Sequence, residues 1–101
     1  MSFQIEKFIE DKKVKIVPVG DLDIVNSKVF KDEVLKLMEE NQEILIDGEK
    51  LDYMDSTGLG VLISLYKKTK SNNSKIYLTN LKPNIYKLFD ITGLNNVFEI
   101  I

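Results

Sequence analysis

Residues 51–62 read Leu51-Asp-Tyr-Met-Asp-Ser-Thr-Gly-Leu-Gly-Val-Leu62, and they connect an apolar run to an amphipathic helix. The segment is predicted to begin as a turn and to end in the first turns of the helix. At the junction, Ser56 and Thr57 stand between Asp55 and Gly58. Because Asp, Ser and Thr side chains accept hydrogen bonds from the unpaired N–H groups of a first helical turn, this cluster predicts a helix cap.

Upstream of this segment, two apolar runs predict a β-hairpin. Residues 3–9 carry apolar side chains with a mixed period, residues 14–19 are also rich in apolar side chains, and the charged residues 10–13 separate the two runs. Such runs joined by a short polar turn are typical of paired antiparallel strands. Pro18 indicates an edge strand or a strand end, because proline has no N–H to donate to a ladder.

A loop and a helix are predicted after the hairpin. Gly20-Asp-Leu-Asp23 forms the loop, and the helix runs from about residue 26 to about residue 40, with Asn26 or Ser27 as its cap. Apolar residues at steps of three and four define its predicted buried face, which comprises Val25, Val29, Phe30, Val34, Leu37 and Met38.

The remaining elements alternate between strands and helices. Buried strands are predicted at Ile44–Ile46 and Ile76–Leu78, a helix at Pro83–Gly93 and a short last strand at Val97–Ile101. The order β-β-α-β-α-β-α-β predicts an α/β fold with a mixed, mainly parallel sheet and helices packed on it. The sequence shows no linker or repeat, so one domain spanning residues 1–101 is predicted.

The helix that begins near Ser56 has an unusually wide apolar face. Val61 and Leu65 lie outside the stripe that Leu59, Leu62 and other apolar residues define. This pattern predicts either a helix buried on more than one side or a helix with one side reserved for a partner.

Composition excludes several kinds of chemistry. The chain has no cysteine and no histidine, which removes thiolate nucleophiles, imidazole metal ligands and a Ser-His-Asp triad. Fourteen lysines, no arginine and 16 acids give a net charge of −2, which argues against a nucleic-acid partner.

The N-terminus lacks a signal-peptide pattern and the longest apolar segment is far below the ~20 residues that cross a bilayer. A cytoplasmic protein that does not bind membranes is therefore expected.

Ser56 has two interpretations from the motif alone. It is either part of a cap cluster with no further role, or a hydroxyl that is regulated by phosphorylation. A phosphate would add roughly −1.5 to −2 charges, and the start of a helix tolerates an anion. Gly58 would then leave space for another chain to approach.

Other chemistries have weaker support. Gly58-x-Gly60 lacks the third glycine of a dinucleotide loop and the Gly-Lys pair of a P-loop. The acid pairs Asp21/Asp23 and Asp52/Asp55 could hold a hard cation or act as acid and base, which would suit a small enzyme or ligand carrier. Loop acids are more often turn formers or caps, so we predict no catalytic, cofactor or metal residues.

Three segments resemble one family. Met54-Asp-Ser-Thr-Gly-Leu-Gly-Val-Leu62 resembles the phosphorylation-site signature of STAS domains, specifically of bacterial anti-sigma factor antagonists. Gly20-Asp-Leu-Asp23 is similar to that family's loop before the first helix, and Leu88-Phe-Asp-Ile-Thr-Gly-Leu94 is similar to its third helix and glycine stop. The segments share the family's order and spacing over nearly the whole chain, which implies a STAS-like domain.

The resemblance implies a regulator rather than an enzyme. Such antagonists bind an anti-sigma factor that is also a serine kinase and release the sigma factor it holds. The kinase phosphorylates the antagonist with its own bound ATP, and a serine phosphatase reverses the modification. The modified residue corresponds to Ser56. The implied partner-binding residues are Asp23, Asp55, Ser56, Thr57, Gly58 and Leu59.

The chain also departs from the family pattern. Ile46-Asp-Gly-Glu49 lacks the usual apolar residue after its aspartate, and Gly48 is expected to loosen the turn that leads to the motif. Many relatives continue into another helix, so ending at Ile101 is expected to expose the face that this helix covers.

The alternative function is a non-switching STAS adaptor in a signalling or transporter complex, with Val61 and Leu65 as its permanent interface.

Overall fold

The computed structural model describes residues 3–101, so Met1 and Ser2 of the predicted domain and N-terminus lie outside the described residues. It confirms the α/β prediction, with three helices and a six-stranded mixed sheet. The strands are β1 (Gln4–Glu10), β2 (Lys13–Leu22), β3 (Glu43–Asp47), β4 (Leu51–Met54), β5 (Lys75–Thr79) and β6 (Glu99–Ile100). The helices are α1 (Ser27–Glu40), α2 (Ser56–Asn72) and α3 (Pro83–Thr92).

The sheet has the order β1-β2-β3-β5-β6, and β4 pairs with β2 outside this path. β1 and β2 form the predicted antiparallel hairpin, and the other pairs are parallel. The long strand β2 pairs with β3 from Lys13 to Ile16 and with β4 from Gly20 to Leu22. This change of neighbour brings the carboxyl ends of β2 and β4 together.

Strand β4 was predicted as a turn, and that prediction is wrong. Leu51 and Met54 are buried while Asp52 and Tyr53 are exposed. This pattern has no two-residue period, so the sequence gives no strand signal. The strand forms because β2 extends beyond β3 and offers its free edge to this segment.

Pro18 lies inside the sheet, which corrects the prediction of an edge or a strand end. It pairs with Ile5 of β1 on one side. On the other side, pairing with β3 ends at Ile16 and pairing with β4 begins at Gly20. The missing N–H of Pro18 therefore falls where no ladder continues.

The core lies between one face of the sheet and the three helices. Its largest fully buried side chains include Phe30 of α1, Leu62 and Leu65 of α2, and Phe89 of α3. Burial of each contributes roughly 1.5–3 kcal/mol. Val61 is also buried, so α2 is a helix packed on more than one side, and the proposed exposed interface at Val61 and Leu65 does not exist.

Helix α1 has nearly the predicted bounds but a narrower buried face than predicted. Phe30, Val34 and Met38 are buried, whereas Val25 is 77% exposed and Val29 is 61% exposed. The buried apolar residues follow a four-residue step, and Val29 lies about 100° away from it on the helix. Apolar residues at steps of three and four occur on both sides of the helix, so the sequence pattern alone does not identify the buried side.

Gly48 is closely packed and does not loosen the turn before β4. A Cβ at this position would lie 3.0 Å from the side chain of Leu81 and 3.3 Å from the carbonyl oxygen of Asn80. The neighbouring Asp47 is buried and accepts hydrogen bonds from the Glu49 N–H (2.9 Å) and the Asn80 amide (3.2 Å). Glycine is therefore suited to this close approach, and the expectation of a loose turn is wrong.

Candidate functional site

The candidate site lies at the adjacent carboxyl ends of β2 and β4. Leu22 and Met54 are paired in the parallel register, so Asp23 and Asp55 begin neighbouring loops. Parallel strands are about 4.8 Å apart. The tertiary fold thus joins two sequence motifs that are more than thirty residues apart, as the resemblance implies.

Asp55 caps helix α2. Its backbone is extended, and its Oδ1 atom accepts hydrogen bonds from the Thr57 N–H (2.9 Å) and the Gly58 N–H (3.1 Å). Its carbonyl oxygen accepts a third bond from the Leu59 N–H at 3.0 Å. The predicted cap is confirmed, and Asp55 is committed to it.

Ser56 and Thr57 are the exposed hydroxyl residues of the motif. Both lie in the first turn of α2. Within residues 3–101 neither hydroxyl makes a hydrogen bond, whereas the backbone around them is held by Asp55. The fold therefore exposes two hydroxyl groups that are free of hydrogen bonds within these residues, on a backbone that the Asp55 side chain holds in place.

Gly58 and Leu59 belong to the core side of α2. Gly58 is buried, and a Cβ on it would overlap the carbonyl oxygen of Leu22 and lie 3.0 Å from the Leu22 and Met54 side chains. The space at Gly58 is therefore taken by this chain's own strand end, which corrects the prediction that another chain approaches there. Leu59 is 9% exposed and joins the hydrophobic core, so neither residue offers a partner surface.

Asp23 holds the loop between β2 and α1. Its Oδ1 atom accepts hydrogen bonds from the N–H groups of Val25 and Asn26, both at 3.1 Å. Its carbonyl oxygen accepts from the Ser27 N–H at 2.9 Å and from the Ser27 Oγ at 2.5 Å. Asn26 occupies the cap position but its side chain makes no capping bond, so the stabilising acceptor is Asp23 rather than the predicted Asn26 or Ser27.

Sequence reasoning missed the apolar surface beside this loop. Ile24 is 74% exposed and adjoins the exposed Val25 and Val29. The only signal in the sequence is that two large apolar residues directly follow the Gly-x-Leu-Asp loop.

No group of three or more acidic side chains suited to a metal ion occurs within residues 3–101. Asp52 forms an ion pair with Lys82, with 2.6 Å between Oδ1 and Nζ. Gly58 packs against Leu22 and Met54, so it does not line a site for a bound anion. No helix in this part of the chain has the length and hydrophobicity to cross a membrane.

We expect Asp55→Ala to lower the free energy of unfolding by about 1 kcal/mol, within a range of about 0.5–2 kcal/mol for lost N-caps. The variant leaves two first-turn N–H groups without their acceptor. Asp55→Asn is the control, because an asparagine oxygen can accept the same bonds. Urea denaturation measures both, and equal stability of the alanine variant and the wild type would show that the cap is dispensable.

Comparisons with known proteins agree with the resemblance found in the sequence. The STAS domain family model matches residues 5–101. The anti-sigma-B factor antagonist of Staphylococcus aureus strain NCTC 8325 / PS 47 is 31% identical over 102 residues, which cover 99% of this chain and 94% of that protein. The anti-sigma-B factor antagonist of Bacillus subtilis strain 168 is 29% identical over 100 residues, covering 99% and 92%.

A solved structure shows the same fold. It is that of the Bacillus cell fate determinant SpoIIAA in the phosphorylated form, with a TM-score of 0.75 and 22% identity. The match covers 99% of this chain and 91% of that chain.

Proposed function

The chain belongs to the STAS domain family, and from this premise we propose that it is an anti-sigma factor antagonist that phosphorylation of Ser56 switches off. The observation that carries the proposal is the exposed Ser56 hydroxyl on a capped helix start, inside a domain that matches antagonists over nearly their whole length. A phosphate acceptor needs an accessible hydroxyl on a fixed backbone, and Ser56 meets both conditions.

The proposed cycle has two states. Unmodified, the protein binds an anti-sigma serine kinase in the cytosol and releases the sigma factor. The kinase then transfers the γ-phosphoryl group of its bound ATP to the Ser56 oxygen, with loss of the hydroxyl proton and release of ADP. A serine phosphatase removes the phosphate. In this cycle the protein is a substrate and a switch, not an enzyme.

The cap geometry explains how a phosphate would act. The helix N-terminus favours an anion, which limits the cost to the fold. However, Asp55 already occupies the N–H groups of Thr57 and Gly58, so these groups are not free for the phosphate as the motif alone suggests. The added charge of roughly −1.5 to −2 would lie beside a carboxylate and point outward, where a docked partner would have to desolvate it.

Phosphorylation by the anti-sigma serine kinase of the same organism tests the proposal. We expect kinase and ATP to add one phosphate to the wild type and none to Ser56→Ala, as read by intact-protein mass. Thr57→Val is the matched control, because it removes the neighbouring exposed hydroxyl and should leave the modification intact. Continued modification of Ser56→Ala, or its loss only in Thr57→Val, would contradict the assignment.

The non-switching alternative loses the two residues that were predicted to form its interface. That hypothesis relied on Val61 and Leu65, and both are buried. Recovery of a stable complex whose formation does not depend on ATP would support this alternative.

A further inference from the structure

The face of the sheet opposite the helices, the open face, carries an ordered row of charges. Side chains alternate between the two faces of a strand, and Val14, Ile44 and Ile76 point into the core. Their neighbours in β2, β3 and β5 therefore lie on the open face. Backbone pairing aligns one charged residue from each of four adjacent strands there, in the order Glu10, Lys13, Glu43 and Lys75. The sign of the charge alternates from β1 to β5.

These four charges are weakly paired within the chain. The Lys13 Nζ atom lies 3.9 Å from the Glu43 Oε2 atom, and the two side chains are 66% and 42% exposed. Among residues 3–101, Glu10 and Lys75 take part in no ion pair. The row is therefore available to a surface with the opposite order of charges.

A second row on the open face is mainly apolar. It lies two positions further along β2, β3 and β5, and its strand-to-strand partners are Phe8, Lys15, Leu45 and Tyr77. The Lys15 Nζ atom lies 5.0 Å from the centre of the Phe8 ring, so these two side chains share this face. All four residues line one shallow depression, in which Leu45 and Tyr77 are half-buried and Phe8 is 55% exposed. Grouped apolar side chains of this kind are typical of an interface, and parallel strands are normally covered on both faces.

The order of the charges matches a second copy of the chain. Rotation by 180° about an axis parallel to the strands, midway between β2 and β3, lays the open face on itself and reverses the order of the strands. Glu10 then meets Lys75 of the second copy, and Lys13 meets Glu43 of the second copy. All four contacts of the row join opposite charges, which favours this arrangement over others. An axis on β3 would instead oppose Lys13 to Lys75 and Glu43 to itself.

The same rotation also matches the apolar rows. Phe8 of one copy lies over Tyr77 of the other, an aromatic contact that occurs twice in the dimer. The exposed Phe8 ring thereby covers the half-buried part of the depression in the second copy. Stacked sheets lie about 10 Å apart, a gap that side chains of this size can fill.

We propose that the open face binds a second copy of the chain in a symmetric dimer, with Glu10 facing Lys75 and Phe8 facing Tyr77. This inference does not depend on the proposed function. Four strands about 4.8 Å apart make a patch only about 14 Å wide, smaller than a standard interface of about 800 Å² on each partner. The dimer should accordingly be weak, with a dissociation constant in the micromolar to millimolar range.

The dimer leaves both copies of Ser56 accessible. The charge row lies at the amino ends of β2, β3 and β5, whereas Ser56 follows the carboxyl end of β4, which is parallel to β2. Because the two-fold axis is parallel to the strands, both Ser56 residues lie at the same end of the dimer. The assembly would thus present two copies of the motif on one side.

Sedimentation equilibrium at low ionic strength, where exposed charges are least screened, tests the dimer. We expect the wild type to change reversibly from monomer to dimer between about 10 µM and about 1 mM protein. A protein that stays monomeric throughout this range would overturn the proposal, and the kinase experiment on Ser56 would be unaffected.

Exchange of charges tests the two-fold arrangement. Glu10→Lys and Lys75→Glu each create two like-charge contacts in the dimer, so each variant alone should dimerise about tenfold more weakly. An equimolar mixture of the two variants should regain the wild-type affinity, because the introduced lysine then faces the introduced glutamate. A mixture that associates no better than either variant alone would overturn this arrangement.

Phe8→Ser tests the apolar contact. We expect it to raise the dissociation constant at least about tenfold, since one substitution removes two buried rings from the dimer. Ile91→Ser is the matched control, because Ile91 is 70% exposed on α3, on the helical side of the sheet. Its replacement should change the constant by less than about twofold.

Thermal unfolding shows that each variant remains folded, as expected for exposed positions. A Phe8→Ser protein that dimerises as well as the wild type would mean that the copies meet through another surface, and the proposal would be overturned.

Discussion

Gly58→Ala is expected to destabilise the domain by about 3 kcal/mol, at the upper end of the cost of overpacking. The added methyl group would overlap the carbonyl oxygen of Leu22 and lie 3.0 Å from two buried side chains, those of Leu22 and Met54. Relief requires the start of α2 to move away from β2. That movement would also stretch the bond from the Asp55 N–H to the Leu22 carbonyl, which is already 3.4 Å long.

Gly60→Ala is the matched control for this prediction. Gly60 lies two residues further along the same helix, and a Cβ there would have no neighbour within 4 Å. Because alanine favours a helix interior over glycine, we expect a gain of roughly 0.5–1 kcal/mol. Urea unfolding of the two variants should give shifts of opposite sign. A Gly58→Ala protein as stable as Gly60→Ala would show that the helix start can shift without cost.

Ser56→Asp is expected to weaken binding to the anti-sigma serine kinase by about 100-fold while the domain stays folded. A new carboxylate beside Asp55 would be buried against the partner without a counter-charge, and unpaired interfacial charges typically cost 2–5 kcal/mol, where about 1.4 kcal/mol corresponds to tenfold in affinity. The helix N-terminus limits the intramolecular cost of the same charge. The unfolding midpoint should therefore change little.

Ser56→Asn separates charge from size in this experiment. Asparagine has nearly the shape of aspartate but no charge, so it should retain far more affinity than Ser56→Asp. Titration calorimetry provides the affinities and thermal unfolding confirms the fold. Equal losses in the two variants would mean that bulk at position 56 blocks docking, and the electrostatic account of the switch would fail.

Much of the fold is predictable because local patterns and tertiary packing agree. The hairpin, the bounds of α1 and the stop of α3 at Gly93, where φ is +77°, all follow from residues close in sequence. The Asp55 cap is equally local, because its acceptor and its two donors lie within three residues. Ser56 is exposed, since it precedes the part of α2 that packs on the sheet.

Other features depend on neighbours that the sequence does not identify. Strand β4 exists because β2 is long enough to pair with two strands in succession. The helical step fits all five of the residues Val25, Val29, Phe30, Val34 and Met38, but only the position of the sheet determines that the last three face the core. Gly58 is required by a carbonyl group from residue 22, a contact invisible in any local window.

The amino-acid sequence by itself therefore determines the α/β order, the capped start of α2 and the hydroxyl available for modification. These depend on backbone hydrogen bonding and side-chain types within a few residues. Only the tertiary structure decides which of the predicted interface residues are accessible. It buries Gly58 and Leu59, commits Asp23 to its own loop and exposes Ile24, Val25 and Val29. The physical reason is that accessibility depends on which strand end packs against which helix start, and the register of β2 with β4 sets that contact.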